Sequence, residues 1–167
     1  MKLQATLVLI SCCTLGVIAG AQSSTRNQGQ AQVWVDPSTG LMWAGKDNGK
    51  DVSWKKAMKY CRDLRLAAYS DWRLPTLAEL EMIFDRNANA PGLAGPGSSE
   101  PFTYHVKGNL FLSGDQWSSS QRSDDRERPS GYVWYVDFNR GLADNLPTGF
   151  LEPFNGQRAL CARGSGK

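Results

Sequence analysis

The sequence predicts an α+β fold: two helices, small antiparallel sheets and a long irregular region. Three observations predict it. Two segments in the first half carry apolar residues at helical spacing behind cap residues, and the second half carries short apolar runs with period two between turn signals. Between these halves lies a stretch rich in Asn, Gly, Pro and Ser. The 167 residues are 41% hydrophobic and include six Trp, enough for one core and too apolar for a disordered chain. A net charge of +3 gives no basic stripe of the kind nucleic-acid binding needs.

The N-terminus reads as a targeting segment. Lys2 precedes an uncharged, mostly apolar run from Leu3 to Ala19, and Ala19-Gly20-Ala21 offers the small residues of a cleavage site. Residues 1–21 are therefore expected to be a signal peptide and residues 22–32 a flexible lead-in, with the domain at 33–163 and a tail at 164–167. Leu9-Ile10-Ser11-Cys12 resembles a lipobox, but cleavage there would leave an apolar mature start, which argues against a lipid anchor. The apolar run is also shorter than the ~20 residues of a membrane span, and the mature form is expected to have none. Cleavage after Ala21 removes Cys12 and Cys13, leaving Cys61 and Cys161. Two cysteines in an exported domain read as one disulfide. The alternatives are two free thiols or a metal pair, the latter short of ligands with one His and no CxxC motif.

Val33–Val35 and Leu41–Trp43 flank Asp36-Pro37-Ser38-Thr39-Gly40, whose Pro and Gly mark a hairpin reversal. Ser53 precedes Trp54, Ala57, Met58, Cys61 and Leu64, one apolar helix face with an N-cap, and Lys55, Lys56, Lys59 and Arg62 fall mostly on the other side. Pro75-Thr76-Leu77-Ala78-Glu79 has capping-box spacing and opens a second helix from about Leu77 to Phe84. Asn87–Gly114 is expected to be irregular, and a long irregular stretch inside a domain is more often binding surface or lid than padding. Trp117–Ser119 reads as a strand and Gln121–Pro129 as a charged loop. Tyr132 to Phe138 alternates as the best strand, turned by Asn139-Arg140-Gly141, and Arg158–Arg163 closes the domain with Cys161.

Candidate chemistry is sparse. Asp71-Trp72-Arg73-Leu74-Pro75-Thr76 sits just ahead of the capping box and reads as structural: Trp72 and Leu74 to bury, Pro75 to set the helix entry, Arg73 to grip a carboxylate in bidentate fashion. Ser118-Ser119-Ser120 offers hydroxyls with no base beside them, and the single histidine, His105, reads as a solvated loop residue. Asp124-Asp125 among Arg122, Arg126 and Arg128 reads as a self-paired loop. No catalytic residue, metal site or cofactor is expected.

Asp36-Pro37-Ser38-Thr39-Gly40-Leu41-Met42-Trp43, Trp54…Ala57…Tyr60-Cys61…Leu64, Ser70-Asp71-Trp72-Arg73-Leu74-Pro75-Thr76…Glu79-Leu80, Trp117-Ser118-Ser119-Ser120 and Leu160-Cys161-Ala162-Arg163 follow one another in that order. Together they resemble the Lcl C-terminal domain family, from about Val33 to Arg163. The resemblance implies a C-type-lectin-like fold in an exported protein. Its namesake is a collagen-like adhesin whose C-terminal domain binds sulfated glycosaminoglycans as a trimer. The chain has no collagen-like Gly-X-Y segment, so the stalk and trimer do not carry over, and the oligomeric state is left open. In such folds a cysteine of the first helix pairs with one on the last strand, the places of Cys61 and Cys161. Glu152-Pro153-Phe154-Asn155 is similar to the Glu-Pro-Asn tripeptide of calcium-dependent lectins, but Phe154 breaks it and the paired Trp-Asn-Asp is missing.

The expected function is therefore an exported, non-catalytic module that binds an anionic glycan or a surface protein. The alternatives are a modifying enzyme related to formylglycine-generating oxidases, which share the broader fold but need a reactive cysteine pair, and an envelope-structure protein. The binding surface is expected on the two irregular loops, Asn87–Gly114 and Gln121–Gly131. Arg122, Arg126 and Arg128 would form forks for sulfate or carboxylate, with Tyr132 as an aromatic face beside them, while Asp124, Asp125 and Glu127 neutralise the same loop.

Overall fold

Asp36 is why the chain reverses where it does. Its carboxylate, 1% exposed, accepts hydrogen bonds from the Ser38 amide at 3.0 Å and the Thr39 hydroxyl at 2.7 Å. These bonds fold the side chain over the turn, and Gly40 completes it at φ +76°, a conformation that suits glycine. Strand β1 (Val33–Val35) thereby returns antiparallel as β2 (Met42–Ala44). The computed structural model describes residues 32–95, 97–149 and 156–164. The expected signal peptide, most of the lead-in, the Glu152–Asn155 tetrapeptide and most of the tail lie outside the described residues.

The predicted helices both form. Helix α1 (Trp54–Asp63) starts after Ser53, which adopts the extended cap conformation but makes no side-chain cap bond. Ala57 and Cys61 are its buried residues, whereas Met58, expected on the same face, is 37% exposed. Helix α2 (Leu77–Ile83) carries the complete capping box: the Thr76 hydroxyl accepts from the Glu79 amide and the Glu79 carboxylate accepts from the Thr76 amide.

The region expected to be irregular is more ordered than the sequence indicated. Asn87–Gly114 contains strand β3 (Ala90–Leu93) paired antiparallel with β4 (Pro101–Tyr104), then a 3₁₀ turn at Lys107–Asn109. Val106, Leu110 and Leu112 are at most 1% exposed and help build the core. The apolar residues are too scattered along this stretch to show either period, and only non-local packing draws them inward. His105 is half-buried, not solvated, with Nδ1 2.8 Å from the Ala88 carbonyl oxygen and its ring edge-on to Phe84.

A four-stranded sheet, ordered β7-β6-β5-β8, dominates the second half. Strand β5 (Asp115–Ser123) and strand β6 (Pro129–Asp137) form a long hairpin that reaches into the segment expected to be a loop, leaving only residues 124–128 as its tip. Strand β7 (Leu142–Pro147) follows the turn predicted at Asn139–Gly141. The alternation along β6 serves two cores at once. Val136 and the following Phe138 join Trp43, Leu80, Ile83 and Leu160 in one cluster, while Val133 and Tyr135 join Trp72, Leu74 and Trp117 in the other.

The closing segment is not one strand. Its first part, β8 (Gln157–Arg158), runs parallel to β5, and its second, β9 (Ala162–Arg163), pairs antiparallel with β2. Both ends of the domain thus meet in one sheet, ordered β1-β2-β9, with β2 standing between them. Between β8 and β9, Cys161 bonds to Cys61 of α1, with Cα atoms 5.4 Å apart and both residues fully buried. The expected disulfide closes a loop of 100 residues, for which the chain-entropy relation gives roughly 4.7 kcal/mol as an upper bound.

Candidate functional site

Helix α1 divides its residues by charge as well as by polarity. Burying Ala57 and Cys61 against the disulfide-containing core turns Lys55, Lys56, Lys59 and Arg62 to solvent. Residues 50–65 hold six basic side chains against two acidic ones. Both acids are engaged: Asp51 pairs with Arg158, and Asp63 with Lys59. A single stretch of 16 residues therefore carries a larger basic excess than the +3 of the whole chain.

This basic face borders a groove of about 450 Å³. Val52, Tyr60 and Leu64 supply its apolar surface, and Lys50, Lys56, Lys59 and Arg65 stand around it with Asp63, the partner of Lys59. All four cations are exposed, and Tyr60 is 37% exposed. Burial, then the charge of Asp47, pushes the Tyr60 phenol up from its ordinary value, so it stays neutral and offers a ring and a hydroxyl. The groove thus combines an apolar floor with ammonium and guanidinium groups, the pairing that a ring-shaped ligand with anionic substituents requires.

The segment leading into α1 is held rigidly. The Val52 amide donates to the Gln157 carbonyl at 3.2 Å, and its own carbonyl accepts from the Trp117 indole at 2.7 Å. Asn48 joins Ala159 through both backbone and side chain, and its Nδ2 donates to the Lys50 carbonyl at 2.7 Å. Beneath this segment, the buried carboxylate of Asp47 accepts from the Ser113 amide at 2.6 Å and from Gln116 Nε2 at 3.0 Å. Arg158, 0% exposed, donates to the Ser113 hydroxyl at 3.0 Å and to the Ser113 carbonyl at 2.9 Å, besides its pair with Asp51. Sequence reasoning passed over Asp47, Asp51 and Arg158 because partners some 45 to 107 residues apart leave no local pattern. The cations of α1 were legible only as the side opposite its apolar face, and the charge imbalance of residues 50–65 was the available signal.

The hairpin tip expected to bind anions is arranged differently. Arg128 donates to Asp124 Oδ2 through Nε at 3.1 Å and Nη2 at 2.9 Å, while Asp124 Oδ1 accepts from the amides of Arg126 and Arg128. These bonds, the backbone donors foremost, hold the Asp124 carboxyl below its ordinary value. Arg122 and Arg126 are exposed with no side-chain partner among the described residues, beside exposed Asp125 and Glu127. Tyr132, 41% exposed, lies on β6 just below the tip.

Asp71–Thr76 is a structural knot. Trp72 and Leu74 are each 2% exposed, and Pro75 is buried with them. Arg73 grips Glu79 through two bonds of 2.7 and 2.6 Å and also donates to the Gly164 carbonyl at 2.8 Å. Asp71 accepts two bonds from Arg163, whose guanidinium stacks 3.6 Å from the Tyr69 ring centroid. The motif therefore binds α2 to the last strand. No group of three or more metal-ligating side chains occurs among the described residues.

No curated protein matches the chain. The family model of the Lcl C-terminal domain matches residues 32–149, which include the β1–β2 hairpin, both helices, the Asp71–Thr76 knot and the β5–β6–β7 sheet. That span is well over half of the sequence, and the chain therefore belongs to the Lcl C-terminal domain family.

Proposed function

We propose that the chain is an exported, non-catalytic, C-type-lectin-like module that binds an anionic glycan in the groove along α1. The observation that carries this reading is the groove itself: Tyr60, Val52 and Leu64 framed by Lys50, Lys56, Lys59 and Arg65, on a segment anchored from several sides. A rigid frame lowers the ordering cost of binding, and clustered cations speed the approach of a polyanion. The lectin-like assignment draws support from the disulfide between the first helix and the closing segment, and from the sheet shared by both ends of the domain. Export draws support from the N-terminal targeting pattern and from the same disulfide. Among the described residues, no helix is long and apolar enough to cross a membrane. The oxidase alternative needs reactive thiols, whereas Cys61 and Cys161 are joined and fully buried.

Chromatography of the purified chain on immobilised heparin, with a neutral dextran column as control, tests the reading. The variant K56A/K59A/R65A should elute at clearly lower salt than the wild type with an unchanged melting temperature, since exposed substitutions move stability by only about 0.5 kcal/mol. The variant R122A/R126A/R128A should elute with the wild type. Equal elution of the groove variant and the wild type overturns the groove as the site, and loss confined to the hairpin variant moves the site to the β5–β6 tip.

A further inference from the structure

A second, smaller cavity opens beside the start of β5 and shares no lining residue with the α1 groove. It holds about 220 Å³, with Phe102, Tyr104, Asp115, Asp137 and Asn139 among its lining residues. Two aromatic rings meet there edge to face, with centroids 5.0 Å apart. The Tyr104 ring is held in place: its hydroxyl donates to the Leu93 carbonyl at 2.9 Å, and Gly92 lies so close that a Cβ there would come within 2.6 Å of the ring.

The two carboxylates of the cavity differ in their commitments. Asp137 Oδ1 accepts from the Asn139 amide at 2.8 Å and the Arg140 amide at 3.2 Å, and Arg140 lies 3.6 Å from Oδ2. The half-buried carboxyl of Asp115, by contrast, accepts no hydrogen bond and joins no ion pair among the described residues. Leaving a desolvated acceptor unmatched is costly. The cost persists because the nearest cations are spent elsewhere, Arg158 on Asp51 and Ser113, Arg140 on Asp137.

We propose that this cavity binds a primary alkylammonium group, such as a lysine side chain presents, with the ammonium on the Asp115 carboxylate and the alkyl stem against Phe102 and Tyr104. An ammonium supplies a hydrogen-bond donor and a countercharge, neither of which Asp115 has among the described residues, whereas a neutral alcohol brings no countercharge. A divalent metal fits poorly, since Asp137 has spent its oxygens on two amides and Arg140, leaving one free carboxylate where such ions take six or more oxygens. The volume lies below the ~300–1,000 Å³ of clefts for larger ligands and suits a single chain end.

Binding depends on pH through Asp115. The groups that bear on it are Asp137 and Arg140 at the end of β6, Arg158 of β8, and Tyr104 of β4, whose phenol is itself pushed up to about 12 by burial first. Burial, then the Asp137 charge, raises the Asp115 carboxyl to about 7, with Arg158 and Arg140 pulling the other way. Near pH 5 only about one Asp115 in a hundred is ionised, so ammonium binding should weaken by up to ~100-fold relative to pH 8.

The test is an NMR titration of the intact wild-type chain with n-butylammonium chloride, at ionic strength held constant with sodium chloride. The Asp115 carboxyl carbon and the Phe102 and Tyr104 ring signals are followed. At pH 8 these signals should shift saturably, with a midpoint of roughly 1–10 mM for a single ion pair in a small cavity. At pH 5 the shift should be lost, and n-butanol should not reproduce it. D115N, which keeps the shape and removes the charge, should abolish it at both pH values while its near-UV circular dichroism stays native. No saturable shift in the wild type at pH 8 overturns the proposal, and so does an equal response to butanol or an unchanged response in D115N.

Discussion

Asp115 shows how one residue can set a pH response for the fold. In the folded chain its carboxyl holds a proton up to about pH 7, whereas in the unfolded chain the proton leaves near the ordinary value of 3.8. Between these values the folded state binds more protons than the unfolded state. Stability from this group is therefore complete below about pH 4 and falls as pH rises toward 7. Replacing Asp115 with Asn removes the group that must ionise in a half-buried place. D115N should be more stable than the wild type at pH 8, by on the order of 2 kcal/mol after halving for solvent access, and the two should converge near pH 4. Urea midpoints at several pH values measure this, and parallel pH profiles for the two proteins would show that Asp115 ionises freely. The buried carboxylate of Asp47 has its partners built in: the amide and hydroxyl of Ser113 and Gln116 Nε2 all donate to it. Among the described residues, Asp115 has no such donor.

At the scale of the element, α2 depends on Glu79 more than on its own length. Seven residues are too few for a helix to persist alone, so its ends must be held from outside. The Glu79 carboxylate does three jobs there: it accepts from the Thr76 amide and from two nitrogens of Arg73. Burial opposes its charge most strongly, but these bonds and the Arg73 guanidinium together hold the carboxyl below its ordinary value. Its contribution to stability is thus present above about pH 4.5 and is lost as pH falls through the lowered folded value. E79Q keeps the shape but loses the charge, and should cost about 1–3 kcal/mol at neutral pH. The measurable signature is that this cost shrinks toward acid, where the wild type loses the same charge; a cost independent of pH would mean the bonds act without their charge. The capping box was legible as Thr76 and Glu79 three residues apart, and the Arg73 grip as a cation ahead of it. The span β3–β4 was not legible in the same way. Ala90-Pro91-Gly92-Leu93 has neither β-branched residues nor alternation, and becomes a strand because Gly92 lets Tyr104 and the Leu112 carbonyl approach closely.

The whole molecule is held by ties that span most of its length. The disulfide, the Asp71–Arg163 pair and the Arg158–Asp51 pair each join residues at least 92 positions apart, and all three bring the closing segment onto the first half. The double variant C61A/C161A should lose about 2–5 kcal/mol, read as a lower urea midpoint. Because both sulfurs are buried, the folded wild type should resist a reductant that readily reduces it once urea has opened the structure. Reduction of the native chain at the rate of the unfolded one would show that the closing segment detaches easily from α1.

By itself the sequence determined the α+β class, both helices, the first hairpin, the β6 strand with its turn and, through the cysteine count, the crosslink. These rest on periods, caps and turn residues that act over a few positions, where local sterics and hydrogen bonding decide the outcome. The family, too, was readable from the order of its motifs. Tertiary structure alone decided that Asn87–Gly114 folds into the core, and that the closing segment splits between two sheets. It alone gathered Lys50, Tyr60 and Arg65 around one groove and, among the described residues, left Asp115 without a partner beside Phe102 and Tyr104. Such outcomes depend on which distant surfaces meet. The free energy of a buried charge or an apolar contact is set by the neighbours that folding supplies, and those neighbours lie far away along the chain.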